Sequence, residues 1–208
     1  MAIAAVIRPG ETDFDTQSRI QGSLDLPLNE TGSRQVAEII AQLEGTALEV
    51  VYTSATEPAQ STAKLIADHF GLTLRTLDDL KNLDHGLWQG MRTEDIRRKH
   101  PRVFKQWRES PEAVCPPEGE TCPEASARVS RALRKPMRKQ KSFAVVAPEP
   151  LATLIASILR GAAPTLPGPS CGQRADHQIE FITDFAAKTA NGRSQSSEER
   201  IPVEVTER

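Results

Sequence analysis

The sequence predicts an α/β fold built on a mostly parallel sheet, and three observations lead to that prediction. Apolar runs of strand length alternate along the chain with longer amphipathic stretches. The amphipathic stretches end near Gly45, Gly71 and Gly161, as helices commonly do. Residues 92–142 interrupt this alternation with helical segments alone, which predicts a helical cap inserted on one side of the sheet.

The first half of the chain supplies three predicted strands and two predicted helices. The polar residues 13–30 separate the first strand from the first helix and predict a surface loop. Thr31 is the expected N-cap of that helix, because a threonine hydroxyl can accept a hydrogen bond from the first turn. In chain order the elements are strand 3–7, the helix after Thr31, strand 50–53, helix 62–70 and strand 72–77.

The cap region, residues 92–142, contains three predicted helices. Two charged helices begin at Thr93 and at Pro101, and a proline-rich loop follows at 115–123. Pro123 then opens a third helix, since a proline at the first helical position costs no hydrogen bond.

The last elements return to the sheet and lead into a polar tail. Residues 143–147 form a buried type of strand, and residues 152–159 form a strongly apolar helix. We therefore expect a single domain over residues 1–187. Residues 188–208 have the composition of a linker, within which 201–205 are interpreted as a short edge strand.

Composition and charge exclude several classes of protein. The chain has 208 residues, 38% of them apolar and 26% charged, which is typical of a soluble domain with a buried core. A formal net charge of −2 provides no basic field for nucleic acid, and the short first apolar run lacks the basic flank of an export signal. Three cysteines, Cys115, Cys122 and Cys171, without zinc-site spacing predict reduced thiols in a cytoplasmic protein. We expect no membrane span, metal or cofactor.

Three turns mark the expected ligand site. They are residues 8–12, 54–58 and 148–150, and each directly follows a predicted strand. In a parallel sheet ligands bind beyond the carboxyl ends of the strands. We therefore expect all three turns to meet at one pocket.

Five spaced motifs resemble those of the histidine phosphatase superfamily, which contains cofactor-dependent phosphoglycerate mutases and many small phosphatases. The resemblance runs from residue 3 to residue 161 and implies a three-layer α/β/α, phosphoglycerate mutase-like fold with a helical cap. The motifs are RPGET at 8–12, QGSLDLPLNETG at 21–32, YTSATEPAQSTA at 52–63, GLWQG at 86–90 and PPEGET at 116–121.

Four positions depart from the pattern that the resemblance implies. Pro9 stands where the family has its nucleophilic histidine, and Pro58 stands where an arginine binds the phosphoryl oxygens. By spacing, Asn82 replaces the glutamate that donates a proton to the leaving oxygen. Pro148 replaces the second histidine, so Arg8 alone remains of the charged cluster.

These replacements predict a protein without the family's catalysis. Phosphoryl transfer by this route needs a lone pair for attack on phosphorus and several donors around the equatorial oxygens. Proline supplies neither. We therefore expect a catalytically inactive protein that acts by binding or regulation.

Other interpretations of the same residues stay open. An enzyme of the phosphatase or phosphoglycerate mutase type could act on phosphomonoesters by residual or rewired catalysis, with His85 as a substitute nucleophile. The prolines could also be turn residues of a protein that never was a phosphatase, or lesions in a recently decayed gene.

The expected ligand contacts are Arg8, Ser54 and the loop residues Gln21, Gly22 and Ser23. Arg8 has two interpretations, an anion-binding group or a strand-end arginine paired with a nearby glutamate, Glu11 or Glu149. The expected partner is a protein or a weakly bound phosphorylated small molecule, and a homodimer is possible. The basic run at 131–141 is either a solvated helix face or a docking surface for an acidic partner.

Overall fold

A computed structural model describes residues 2–169, 178–183 and 185. Within them, five strands form one sheet: β1 (Ile3–Ile7), β2 (Val50–Thr53), β3 (Thr73–Thr76), β4 (Phe143–Val146) and β5 (Ile179–Thr183). Their order across the sheet is β3-β2-β4-β1-β5. The first four strands are parallel, and β5 runs antiparallel to β1.

Seven α-helices accompany these strands in the described residues. They are α1 (Asp13–Thr16), α2 (Glu30–Leu43), α3 (Ala59–Phe70), α4 (Thr93–Lys99), α5 (Pro101–Glu109), α6 (Cys122–Arg138) and α7 (Leu151–Leu159). Single 3₁₀ turns lie at Asp78–Leu80, Gly86–Trp88 and Pro111–Ala113. In the part of the chain covered by the structure, no helix combines the length and the apolar character that a membrane crossing requires.

Both faces of the sheet are buried, and alternate residues of one strand show this directly. In β4, Ala144 and Val146 belong to the core cluster beneath α2 and α3. Phe143 and Val145 belong to the opposite cluster, which α6 and α7 cover. A strand covered on both faces has no polar side, so its sequence is a continuous apolar run. The predicted three-layer α/β fold is confirmed.

The predicted loop 13–30 contains a short helix and the true start of α2. Thr12 caps α1, because the Asp15 carboxylate accepts hydrogen bonds from both the backbone N–H and the hydroxyl of Thr12. The N-cap of α2 is Asn29 rather than Thr31, since the Asn29 side-chain oxygen accepts the Gly32 N–H at 2.7 Å. An asparagine two residues earlier in the chain thus starts the helix.

Two further boundaries differ from the sequence prediction. Helix α3 begins at Ala59, three residues before the predicted start, directly after the turn that contains Pro58. The edge strand beside β1 is β5, which the sequence did not predict; it combines the buried Ile179 and Ile182 with the exposed Phe181 and Thr183. The predicted strand at 201–205 and the tail 188–208 lie outside the described residues.

The cap region divides between two places in the fold. Helices α4 and α5 contribute Ile96 and Trp107 to a small cluster with Ile20 and Trp88. Helix α6 instead packs against the sheet through Ala125, Val129 and Leu133. The apolar residues of α6 thus pack in the core of the sheet. Within residues 92–142, the separate cluster is formed by residues that precede α6.

One buried arginine of α6 fixes the segment between β3 and the site. The Arg128 guanidinium donates to both Glu120 carboxylate oxygens, at 2.6 and 2.7 Å. It also donates to the backbone carbonyls of Asp79, Lys81 and Asn82. These five hydrogen bonds match the five N–H donors of a guanidinium group.

Replacing Arg128 is therefore expected to destabilise the protein strongly. Arg128→Leu leaves a partly buried carboxylate and three carbonyls without their donor, so we expect a loss of about 3 kcal/mol or more in the free energy of unfolding. Arg131→Leu is the matched control, because the Arg131 pair with Asp79 lies on the surface, where an ion pair contributes little to stability. Urea denaturation measures both. Equal losses for the two variants would contradict this role of Arg128.

Candidate ligand-binding cavity

A cavity of about 340 Å³ lies at the carboxyl ends of β1 and β4. All three predicted turns contribute to its wall: residues 8–11 of the first, Pro58 of the second, and Pro148 with its two following residues of the third. The strand order explains this meeting, since β4 lies between β2 and β1. The turn after β4 is thereby placed between the other two.

Two glycines bring the first turn against helix α2. A Cβ atom on Gly10 would lie 2.3 Å from the Gly32 carbonyl oxygen, and one on Gly32 would lie 2.1 Å from that of Glu11. Side chains cannot be accommodated at such distances. The Gln35 side-chain oxygen also accepts the Glu11 N–H at 2.9 Å, which holds the turn on the helix.

The residues at the altered positions line the cavity in three of four cases. Pro9, Pro58 and Pro148 are lining residues, so the wall has pyrrolidine rings where the resemblance expects two histidines and an arginine. A proline has no side-chain donor and no backbone N–H. The three positions can therefore neither attack phosphorus nor donate to a phosphoryl oxygen.

Asn82 lies behind the cavity wall and is not a lining residue. It is 2% exposed, and its amide nitrogen donates to the carbonyls of Gly22 and Glu149, each at 3.0 Å. Its side-chain oxygen is buried and has no partner in the described residues. Asn82 therefore joins two parts of the wall and does not present a proton donor to the cavity.

Arg8 forms an ion pair with Glu149, which was one of its two predicted interpretations. The Arg8 Nε atom lies 2.5 Å from Glu149 Oε1, and its Nη2 atom lies 4.0 Å from a carboxylate oxygen of Glu180. The Glu149 carboxylate also accepts from the backbone N–H of Thr153 at 3.2 Å and from its hydroxyl at 3.0 Å. One carboxylate thus binds the arginine and the first turn of α7 together.

The other predicted ligand contacts have different placements. Gln21 and Gly22 line the cavity, and the Gln21 amide donates to the carbonyl of Glu57 at 3.1 Å. Ser23 and Ser54 are not lining residues. The Ser23 hydroxyl bonds to Gln89, and the fully buried Ser54 hydroxyl bonds to Thr56 at 2.9 Å, so both hydroxyls are used within the protein.

His85, the predicted substitute nucleophile, lines the cavity and is 6% exposed. Burial lowers the pKa of its imidazole below the usual value, although the Leu83 carbonyl and the carboxylates of Asp84 and Glu120 oppose that shift. Its Nδ1 atom lies 3.2 Å from the Leu83 carbonyl oxygen, which requires the proton on Nδ1. Nε2 then carries the lone pair, and it has no hydrogen-bond partner in the described residues.

The sequence prediction missed the apolar wall of the cavity. The Trp88 and Trp107 rings, 5.2 Å apart between centroids, line it with Leu166 from a segment distant in sequence. No local pattern shows this, because residues 88, 107 and 166 meet only in the fold. Glu149, which was predicted as a possible partner of Arg8, also lines the cavity.

Solved structures share this fold. The chain superimposes on Bacillus stearothermophilus YhfR with a TM-score of 0.72 and 19% identity, covering 88% of this chain and 91% of that one. It superimposes equally well, with a TM-score of 0.72 and 22% identity, on mycobacterial glucosyl-3-phosphoglycerate phosphatase in complex with VO3, covering 88% and 98%. At these identities the likeness establishes the fold alone.

Curated relatives and a family model point to the same group. Phosphoserine phosphatase 1 of Hydrogenobacter thermophilus is 33% identical over 109 residues, which is 52% of each chain. The uncharacterized phosphatase PhoE of Bacillus subtilis is 34% identical over 101 residues, 49% of this chain and 52% of PhoE. The chain thus spans about half the length of these relatives. The model of the histidine phosphatase superfamily (branch 1) matches residues 5–174, and the chain therefore belongs to that superfamily.

Proposed function

We propose that this chain is a catalytically inactive member of the superfamily and acts by binding a ligand or partner at the cavity. The observation that supports this most directly is the composition of the cavity wall. Pro9, Pro58 and Pro148 line it at the positions where the family has its nucleophilic histidine, its phosphoryl-binding arginine and its second histidine. Loss of a nucleophile can reduce a rate by about 10⁶, and loss of one donor to a developing charge by about 10² to 10³.

The arrangement of Arg8 supports the same proposal. A phosphoryl group in this family needs positive charge around its oxygens, and Arg8 is the one cation left from that cluster. Its Nε atom is bound to Glu149 at 2.5 Å, so a phosphate must compete with an internal carboxylate. Electrostatic stabilisation of a transition state depends on donors that are already aimed at the reacting group.

The competing function is an active enzyme of the phosphatase or phosphoglycerate mutase type, and two relatives of the chain are named phosphatases. His85 is the residue of this chain that could serve it, since its Nε2 lone pair has no partner in the described residues and the side chain lines the cavity. In that reaction Nε2 would attack phosphorus, the ester P–O bond would break, and water would then release phosphate. The prolines around it provide no donor for the transferring group.

The kind of partner and the location of the protein are further predictions beside this proposal. We propose a small molecule at the cavity, with a protein partner at the surface as the second possibility. The basic run at 131–141 keeps both of its interpretations, a solvated helix face or a docking surface for an acidic partner, and a cytoplasmic location and a homodimer remain predictions.

The proposal predicts no hydrolysis by the unmodified protein. We expect release of p-nitrophenol from p-nitrophenyl phosphate in the presence of EDTA to equal the blank, because attack on phosphorus lacks both nucleophile and donors. His85→Ala should give the same blank rate. Turnover by the unmodified protein that His85→Ala abolishes would instead establish rewired catalysis.

Restoring the family's residues should create activity. The variant with Pro9→His, Pro58→Arg, Asn82→Glu and Pro148→His regains nucleophile, donors and acid. Adding Glu149→Gly releases Arg8 from its internal carboxylate. We expect the five-residue variant to exceed the blank by about 10²-fold or more, and the four-residue variant to be slower.

The restoration experiment carries its own control for folding. Far-ultraviolet circular dichroism and thermal unfolding establish whether each variant keeps the native structure. A folded five-residue variant without turnover would show that the fold has lost more than these positions, and would contradict the assigned roles.

A further inference from the structure

The anion-binding part of the cavity already contains an anion. The Glu149 carboxylate accepts from Arg8 Nε at 2.5 Å and from the hydroxyl and backbone N–H of Thr153. An arginine and the N–H groups of a helix start are the partners that a phosphate would otherwise use. The Glu149 carboxylate therefore has the hydrogen bonds expected of a bound phosphoryl group.

The remaining charges of the lining do not favour an anionic ligand. In the described residues, three carboxylates line the cavity, Glu11, Asp15 and Glu149, against the two guanidinium groups of Arg8 and Arg19. A further carboxylate, that of Glu180, lies 4.0 Å from Arg8. Arg19 donates to the Gly90 carbonyl at 2.5 Å and to the Gln17 side chain, so its charge is held at one edge.

The rest of the wall presents hydrogen-bond acceptors beside apolar rings. His85 contributes Nε2: the Leu83 carbonyl accepts from Nδ1, and burial lowers the pKa of the ring, which favours the neutral form with a lone pair on Nε2. Its ring stands 6.3 Å from the Trp107 ring, and Trp107 stands 5.2 Å from Trp88. Leu83, Val114, Leu166 and several prolines continue this surface. Cavities of this size and composition suit organic ligands.

We propose that the cavity binds a ring-bearing organic molecule that donates hydrogen bonds and has no anionic group, and that Glu149 occupies the subsite where a phosphate would bind. The ring packs against the two tryptophans, and its amine or hydroxyl group donates to the carboxylates or to His85. This inference rests on the proposed binding function and names the class of ligand.

Three probes with one common ring test the proposal. They are 2-phenylethylamine, 2-phenylethanol and 2-phenylethyl phosphate, and binding is measured by the fluorescence of Trp88 and Trp107, the only two tryptophans of the chain. We expect the amine and the alcohol to bind at least about tenfold more tightly than the phosphate ester. The proposal is overturned if the phosphate ester binds as tightly as either of them, or if none of the three binds.

Glu149→Gln tests the role of the internal carboxylate. We expect the affinity for the phosphate ester to rise about tenfold relative to that for the amine, because the substitution removes the negative charge next to Arg8 Nε in the cavity. Glu180→Gln is the matched control: it also removes a carboxylate near Arg8, but Glu180 does not line the cavity. Equal gains in the two variants would overturn occupancy by Glu149, as would no gain in Glu149→Gln. Glu149→Ala provides a second test if Glu149→Gln fails to fold.

Phosphate release from 2-phenylethyl phosphate separates this inference from the proposed function. Binding of the ester as tightly as the amine or the alcohol, without hydrolysis, would overturn the ligand class and leave the proposal of inactivity standing. Hydrolysis of the ester would overturn the proposal of inactivity itself.

Discussion

The parallel pairing of β1 with β4 is the constraint on which the site depends. Because Ile7 lies beside Val146 in the register, the turns that follow the two strands leave the sheet at the same point. Arg8 is then the first residue beyond β1, and Glu149 follows β4 closely enough to reach it. The ion pair between residues 141 positions apart in sequence is a direct consequence of strand register.

The apolar wall of the cavity depends on a second constraint: Arg128 of α6 holds residues 79–82, which lie between β3 and the cap. Arg128 fixes the carbonyls of residues 79, 81 and 82, and Asn82 in turn binds the carbonyls of Gly22 and Glu149. The 3₁₀ turn that carries Trp88 follows this segment within a few residues. The buried Arg128 guanidinium thereby helps to position Asn82 and the two cavity residues that Asn82 binds.

Elements with one clear periodicity could be predicted from the sequence, and contacts between distant segments could not. The continuous apolar run of β4 and the end of α3 at Gly71, which adopts the left-handed conformation, were predictable because burial and glycine geometry act locally. The meeting of the three turns was predictable because each turn follows a strand of a mostly parallel sheet and so leaves the sheet at the same edge. Neither the pairing of β5 with β1 nor the placement of Trp107 against Trp88 has a local signal. The hydrogen bond of the Ser54 hydroxyl with Thr56 likewise has no local signal in the sequence.

The contacts around the altered positions argue against a recently decayed phosphatase. The Arg8 side chain is 15% exposed, and at that burial a charge needs an anion beside it. Glu149 supplies that anion and also bonds to the first turn of α7. The Asn82 amide nitrogen donates to the backbone carbonyls of Gly22 and Glu149. An ionised glutamate at this position could not donate to either carbonyl. Arg8 and the two wall carbonyls thus have partners within the protein itself, as the proposed non-catalytic site would require.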